Sequence, residues 1–176
     1  MPLAWRGGGL LGGPTIMGIL NVTPDSFFDG GRYVDVDVAV AKAWEMALDG
    51  AGILDIGAES TRPGSDGVSP SEQIDRLLPV LEALAHPDGP RGPFPLPISV
   101  DTTSSVVAAA ALASGAAIVN DVTAGLADPA ILEVAANAGA AVVLMHMRGR
   151  PRDMQSQTDY EDVVREVIEY LQERCD

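Results

Sequence analysis

The chain is poor in cysteine, in positive charge and in long apolar runs, and each shortage removes a class of protein. Its one cysteine, Cys175, cannot close an internal disulfide and stands next to the last residue, so no disulfide framework holds the fold and a reducing, cytoplasmic setting is expected. Eleven Lys+Arg against 25 Asp+Glu leave a net charge of −14, which repels a phosphate backbone and argues against nucleic acid as a partner. No apolar run reaches membrane-spanning length, and the early Gly7-Gly8-Gly9-Leu10-Leu11-Gly12-Gly13 breaks up any signal-peptide core, so no membrane partner is expected. The glycine fingerprint of a dinucleotide-binding fold is missing too. Asn21-Val22-Thr23-Pro24 follows the first strand-like run instead.

What is present is an alternation of strand-like and helix-like segments along 176 residues. Short, mostly β-branched runs at 15–20, 53–56, 98–100, 117–119 and 141–145 predict buried parallel strands. Helical patterns lie between and after them, at about 36–49, 71–84, 104–114, 129–137 and 160–173. Ser69-Pro70-Ser71-Glu72 reads as a helix start, with Ser69 as cap, Pro70 in the first helical position and Glu72 placed for a capping box. Gly50, Gly115 and Gly139 each stand between a helix and a strand, where a left-handed C-terminal cap is expected. The stretch 86–97, with five prolines and two glycines, predicts an irregular surface loop rather than a domain boundary, because the alternation resumes unchanged after it. We divide the chain into an N-terminal extension, 1–14, and one barrel-type domain, 15–176.

Repeated βα units with right-handed crossovers make either a (β/α) barrel or an open doubly wound sheet. The expected fold is α/β of the (β/α)8 TIM-barrel type, because polar groups follow every predicted strand, as at the mouth where such barrels keep their chemistry. A full barrel has eight units and typically about 250 residues. Five are encoded here, so the expected barrel is incomplete.

The strand-end groups are Asn21 to Phe27, Glu59-Ser60-Thr61-Arg62-Pro63-Gly64, Asp101-Thr102, Asn120-Asp121 and His146. The first, read as Met17-Gly18-Ile19-Leu20-Asn21-Val22-Thr23-Pro24-Asp25-Ser26-Phe27 with Asp29-Gly30-Gly31 behind it, resembles the opening signature of the dihydropteroate synthases. Gly57-Ala58-Glu59-Ser60-Thr61-Arg62-Pro63-Gly64, Ser99-Val100-Asp101-Thr102, Ile118-Val119-Asn120-Asp121-Val122 and Leu144-Met145-His146-Met147 follow in that family's order. The resemblance runs from about Met17 to the C-terminus and implies an eight-stranded barrel, in agreement with the alternation. It implies a transferase of folate biosynthesis that joins p-aminobenzoate to the methylene carbon of 6-hydroxymethyl-7,8-dihydropterin pyrophosphate. The products are 7,8-dihydropteroate and pyrophosphate, with Mg²⁺ assisting.

By the same resemblance Asn21 offers its amide oxygen to Mg²⁺, which often takes few protein ligands. Asp101 and Asn120 bind the pterin edge, where a carboxylate accepts two donors and an amide both donates and accepts. Thr61 and Arg62 contact the pyrophosphate and take part in catalysis. Phe27 and Pro63 wall the p-aminobenzoate pocket, Met145 the pterin pocket or the core, and Asp25 orients the first loop or accepts a proton. Taken without the family, Asn21 reads as a turn residue and Asp101 as a cap for the helix near Ser104. Asp121 competes with Asn120 for the polar role at its strand end. His146 reads as a packed residue without a catalytic role, and Glu161, Asp162, Glu166, Glu169 and Glu173 read as a solvated face.

Two local departures from the family stand out: Phe28 replaces a small polar residue, and Thr103-Ser104 stands where a basic residue often lies nearby. The family's later segments, Asp-Pro-Gly with Gly-Phe-Gly-Lys, Ser-Arg-Lys and a terminal-strand His, are not in this sequence. The leading reading is therefore the N-terminal five units of a synthase. Its missing C-terminal part leaves unpaired sheet edges, and the family's closed barrels commonly pair as homodimers. The alternatives are a non-catalytic or degenerate pterin-binding chain and the pterin-binding barrel of a methyltetrahydrofolate methyltransferase. The Asn21 to Phe27 loop argues against the last of these.

Overall fold

The computed structural model describes residues 3–4, 10–11, 14–23, 36–59, 67–86, 92–149 and 153–175. Two short strands, β1 (Leu3–Ala4) and β2 (Leu10–Leu11), pair antiparallel ahead of the main domain. Then follow β3 (Met17–Asn21), α1 (Val36–Leu48), β4 (Ile53–Gly57), α2 (Pro70–Ala85), β5 (Ile98–Asp101), α3 (Ser105–Ala113), β6 (Ile118–Asp121), α4 (Ala130–Ala138), β7 (Ala141–Leu144), a short 3-10 turn (Met154–Ser156) and α5 (Val163–Cys175). Every predicted strand and helix has its counterpart, displaced by at most a few residues.

The local signals act as expected. Ser69 Oγ accepts the Glu72 N–H at 3.3 Å and Pro70 opens α2. The capping box is only half built, because the Glu72 carboxylate pairs with Arg76 one turn on. Gly50, Gly115 and Gly139 all have positive φ, 102°, 106° and 65°, a region closed to most side chains. Gly139 also gives its N–H to the carbonyls of Ala135 and Ala136, ending α4.

Strands β3 to β7 form one parallel sheet in the order β3-β4-β5-β6-β7. Each strand lies beside its successor, so the chain winds in one direction and never reverses as a doubly wound sheet does at its switch point. Because successive side chains alternate faces, each strand has a helix side and an inner side. Leu20, Leu54, Ile56, Val100 and Val119 face the helices, where they bury against Ala39, Ala43, Leu77, Leu81, Val107, Ala108, Ala111, Ile131 and Ala135 of α1 to α4. A fully buried aliphatic side chain contributes about 1.5–3 kcal/mol, so this layer is the main source of stability.

The inner side is less covered. Ile53 and Ile118 cluster there with Met17 and Ala141, whereas Ile19 is 63% exposed and Val143 37%. Among the described residues β3 and β7 each pair with one neighbour within this sheet, so it is an arc of a barrel, as the count of units predicts. Helix α5 buries no residue fully. It is tied to the segment after β7 by Arg148–Glu166 at 3.1 Å and by the His146 and Tyr170 rings, edge to face at 4.8 Å. Glu166 thus departs from the expected solvated acidic face. Its carboxylate also accepts the N–H groups of Glu161 and Asp162.

Candidate active site

The parallel register places Asn21 of β3 beside Gly57 of β4, Gly57 beside Asp101 of β5, and Asp101 beside Asn120 of β6. Residues in register point to the same side of a sheet, so the three strand-end residues singled out from the sequence share one layer on the inner face. Gly57 makes them neighbours. A Cβ on it would lie 3.4 Å from Asp101 Oδ2 and 3.7 Å from Asn21 Oδ1, so both oxygens look over a bare stretch of backbone. Asn21 is exposed and Asp101 and Asn120 are half-buried, leaving the row open to a ligand.

One layer deeper the register runs Ile19, Asp55, Ser99, Ile118, Ala141. Asp55 is buried at 4% exposure and accepts the Asn120 Nδ2 hydrogen at 3.1 Å through Oδ2. Its Oδ1 and the Ser99 hydroxyl are buried without a partner. Sequence reasoning passed over Asp55 by treating Ile53 to Ile56 as an apolar run. The signal was there, since an acid inside a buried strand is rare unless something needs it.

Asp101 carries the site's clearest electrostatic signature. Burial, followed by the negative charges of Asp55, Glu59 and Asp121, pushes its carboxyl up to about 7. None of the ion pairs among the described residues reaches it. Its bland reading as a helix cap fails: Ser104 is the N-cap of α3, and Asp128 Oδ2 accepts the Ser105 N–H at 2.8 Å. Asp121 turns to the helix side and accepts from the Thr123 N–H and hydroxyl at 2.8 Å and the Gly125 N–H at 2.7 Å. It organises its own loop, and Asn120 is left facing inward.

Behind the row runs a second network that the sequence did not announce. Gln73 of α2, buried at 4% exposure, donates to Glu59 Oε2 at 2.8 Å and to the Val68 carbonyl at 3.0 Å, and accepts from the Thr102 hydroxyl at 3.2 Å. It ties the end of β5 to the segments on either side of 60–66. Met145, expected as pterin-pocket wall or core, follows β7 and is 36% exposed. His146 packs against Tyr170 and Tyr160, as expected of a packed residue. Asp25, Phe27, Thr61, Arg62 and Pro63, with the Phe28 departure, lie outside the described residues. Among the described residues no three His, Cys, Asp or Glu are grouped to hold a metal ion, and no helix is long and apolar enough to cross a membrane.

A sheet wound in one direction, helices on its outer side and a polar row across the C-terminal strand ends define a (β/α)-barrel type of scaffold, a class that keeps its chemistry at that mouth. Residues 17–176 match the family described as pterin binding enzyme, and the chain belongs to that family. The dihydropteroate synthase of Synechocystis is 44% identical over 161 residues, covering 92% of this chain and 54% of its own length. The structure of the Xanthomonas albilineans dihydropteroate synthase with 4-aminobenzoic acid superposes with a TM-score of 0.79 at 46% identity, over 94% of this chain and 56% of that one. That of the Burkholderia cenocepacia enzyme complexed with 7,8-dihydropteroate gives 0.80 at 36% identity, over 98% and 56%. The chain thus spans little more than half the length of these relatives.

Proposed function

We propose that this chain supplies the pterin- and pyrophosphate-facing half of a dihydropteroate synthase site. The observation that carries the reading is the single layer holding Asn21, Gly57, Asp101 and Asn120. A pterin is flat and presents ring and exocyclic N–H donors along one edge. The bare backbone at Gly57 leaves room for a flat ring, the Asp101 carboxyl offers two acceptor oxygens, and Asn120 adds an amide oxygen. Solved relatives that hold 4-aminobenzoic acid or 7,8-dihydropteroate share this fold, which supports the same two substrates here.

In the reaction, the amine nitrogen of p-aminobenzoate forms a bond to the pterin methylene carbon as the C–O bond to pyrophosphate breaks, and the amine loses a proton. Negative charge grows on the leaving group, so the site must neutralise it. In this reading Thr61 and Arg62 do so from the loop after β4, Asp25 orients the first loop or takes the proton, and Phe27 and Pro63 enclose the aromatic ring, with Met145 as a pterin wall. An amide oxygen near one carboxyl, with no acidic cage among the described residues, suits Mg²⁺ that arrives with phosphate and keeps its waters. Asn21 Oδ1 is the atom assigned to it, and when bound the ion supplies charge neutralisation at the pyrophosphate. A cytoplasmic location, as the single exposed Cys175 suggests, belongs to the same reading.

Calorimetric titration of the 176-residue chain with 6-hydroxymethyl-7,8-dihydropterin pyrophosphate and Mg²⁺ tests it. The expected result is 1:1 binding that weakens at least about tenfold in D101N, which removes a carboxylate acceptor, and that loses its Mg²⁺ dependence in N21A. A folded chain that takes up no pterin sinks the proposal. Binding that is followed by no 7,8-dihydropteroate once p-aminobenzoate is added points to the non-catalytic pterin-binding alternative for the isolated chain.

A further inference from the structure

We propose that Asp55 is a positioning residue: it locks the side-chain amide of Asn120 in one orientation, so that the strand-end row presents a fixed amide oxygen to a heteroaromatic N–H. The inference rests on the pterin reading above and deepens it.

The geometry leaves the Asn120 amide one orientation. A carboxyl oxygen lies 3.1 Å from its Nδ2. Turning the amide over would bring Oδ1 against that oxygen and exchange a hydrogen bond for two facing lone pairs. Oδ1 is therefore held away from Asp55. Because Asn120 is in register with Asp101, the two side chains stand in the same layer, and the held amide oxygen and the Asp101 carboxyl are placed to act as an acceptor pair. A ligand edge with two adjacent N–H donors fits it, and an edge that presents an acceptor there is rejected.

Packing alone does not explain Asp55. It is 4% exposed, its Oδ1 has no hydrogen-bond partner, and the Ser99 hydroxyl paired with it in register is equally orphaned. Burying a carboxyl group with one oxygen unsatisfied works against stability. An amide at this position, or an apolar residue continuing the Ile53-Leu54 run, would serve the fold better. Retaining the acid is the expected signature of a group kept for recognition rather than for stability.

Three variants of the 176-residue chain test this: D55N, N120D and the exchanged pair D55N/N120D. The exchange conserves charge and volume and reverses donor and acceptor between positions 55 and 120. The probe is 6-hydroxymethyl-7,8-dihydropterin pyrophosphate with Mg²⁺, read by calorimetry. Urea midpoints and hydrogen exchange of the Asn120 side-chain NH2 are followed by NMR in the ligand-free chain. The parent should show a protected Asn120 NH2. D55N, whose own amide can turn either way and so no longer fixes Asn120, should bind about twofold more weakly without any fall in urea midpoint, a split that a merely structural residue does not produce. N120D, which sets carboxyl against carboxyl, should bind worse still. The exchanged pair should recover at least about tenfold over N120D. An Asn120 NH2 that exchanges like a free amide, D55N binding equal to the parent, or an exchanged pair no better than N120D overturns the proposal. A parent that takes no pterin yet keeps the amide protected supports the positioning and overturns the assigned ligand instead.

Discussion

Removing the charge of Asp101 should make the chain more stable, and only at neutral and higher pH. Burial and the neighbouring acids lift this carboxyl from 3.8 to about 7 in the folded chain. An unfolded chain holds it near 3.9, so folding takes up a proton between those values. A group whose pKa is raised on folding contributes most below its unfolded pKa, and the contribution is lost as pH rises through the folded one. The difference of roughly three pKa units is worth about 4 kcal/mol at 1.36 kcal/mol per unit. Asp101 is only half-buried, so water screens part of this and about 2–4 kcal/mol is the working range. That is a large share of the ~5–15 kcal/mol that holds a typical domain together. Urea unfolding of the parent and D101N at several values between about pH 4 and pH 9 reads the effect as the difference between two curves, from which acids remote from position 101 drop out. D101N should match the parent near pH 4, pull ahead through about pH 7 and keep a constant lead above it. Parallel stability curves, or a variant less stable throughout, would refute the account of Asp101 as a carboxyl strained by burial and like charge.

Gly57→Ala places a methyl 3.4 Å from Asp101 Oδ2 and 3.7 Å from Asn21 Oδ1, ordinary contact distances at a position without positive φ. It should leave stability within about 1 kcal/mol while reducing pterin affinity by about tenfold or more in calorimetry. A variant that binds like the parent would show that Gly57 does not shape the site. Leu81→Ala, at a side chain with no exposure in the helix-to-sheet core, should cost about 2–5 kcal/mol in urea unfolding; a loss under about 1 kcal/mol contradicts the packing described for α2. Mixing the chain with a polypeptide matching the rest of the Synechocystis relative should raise hydrogen-exchange protection at the outer edges of β3 and β7 and around Ile19, 63% exposed here. Two species that stay apart on gel filtration, with unchanged protection, would show that these edges are not where the remaining units dock.

Local features were legible because their causes are local. Ser69 before Pro70, the glycines at 50, 115 and 139, and the β-branched runs act through backbone preferences within a few residues, and each element stands where those preferences put it. The antiparallel pair β1 and β2 went unpredicted, since two-residue strands carry no periodicity to read. Glu166 was misjudged for the opposite reason: its partner Arg148 belongs to another segment, and only the path of the chain after β7 brings the two to 3.1 Å.

The candidate site divides the same way. The sequence by itself determined the βα alternation, the family, and Asn21, Asp101 and Asn120 as strand-end polar residues, because motif and pattern are properties of consecutive residues. Tertiary structure alone decided that these three share a layer with Gly57 between two of them, that Asp121 turns outward to its own loop while Asn120 turns inward, and that Asp55 stands beneath the row. Those facts depend on cross-strand register and on which face the helices cover. Both are set by packing between segments far apart in the chain, where no single stretch of sequence records them.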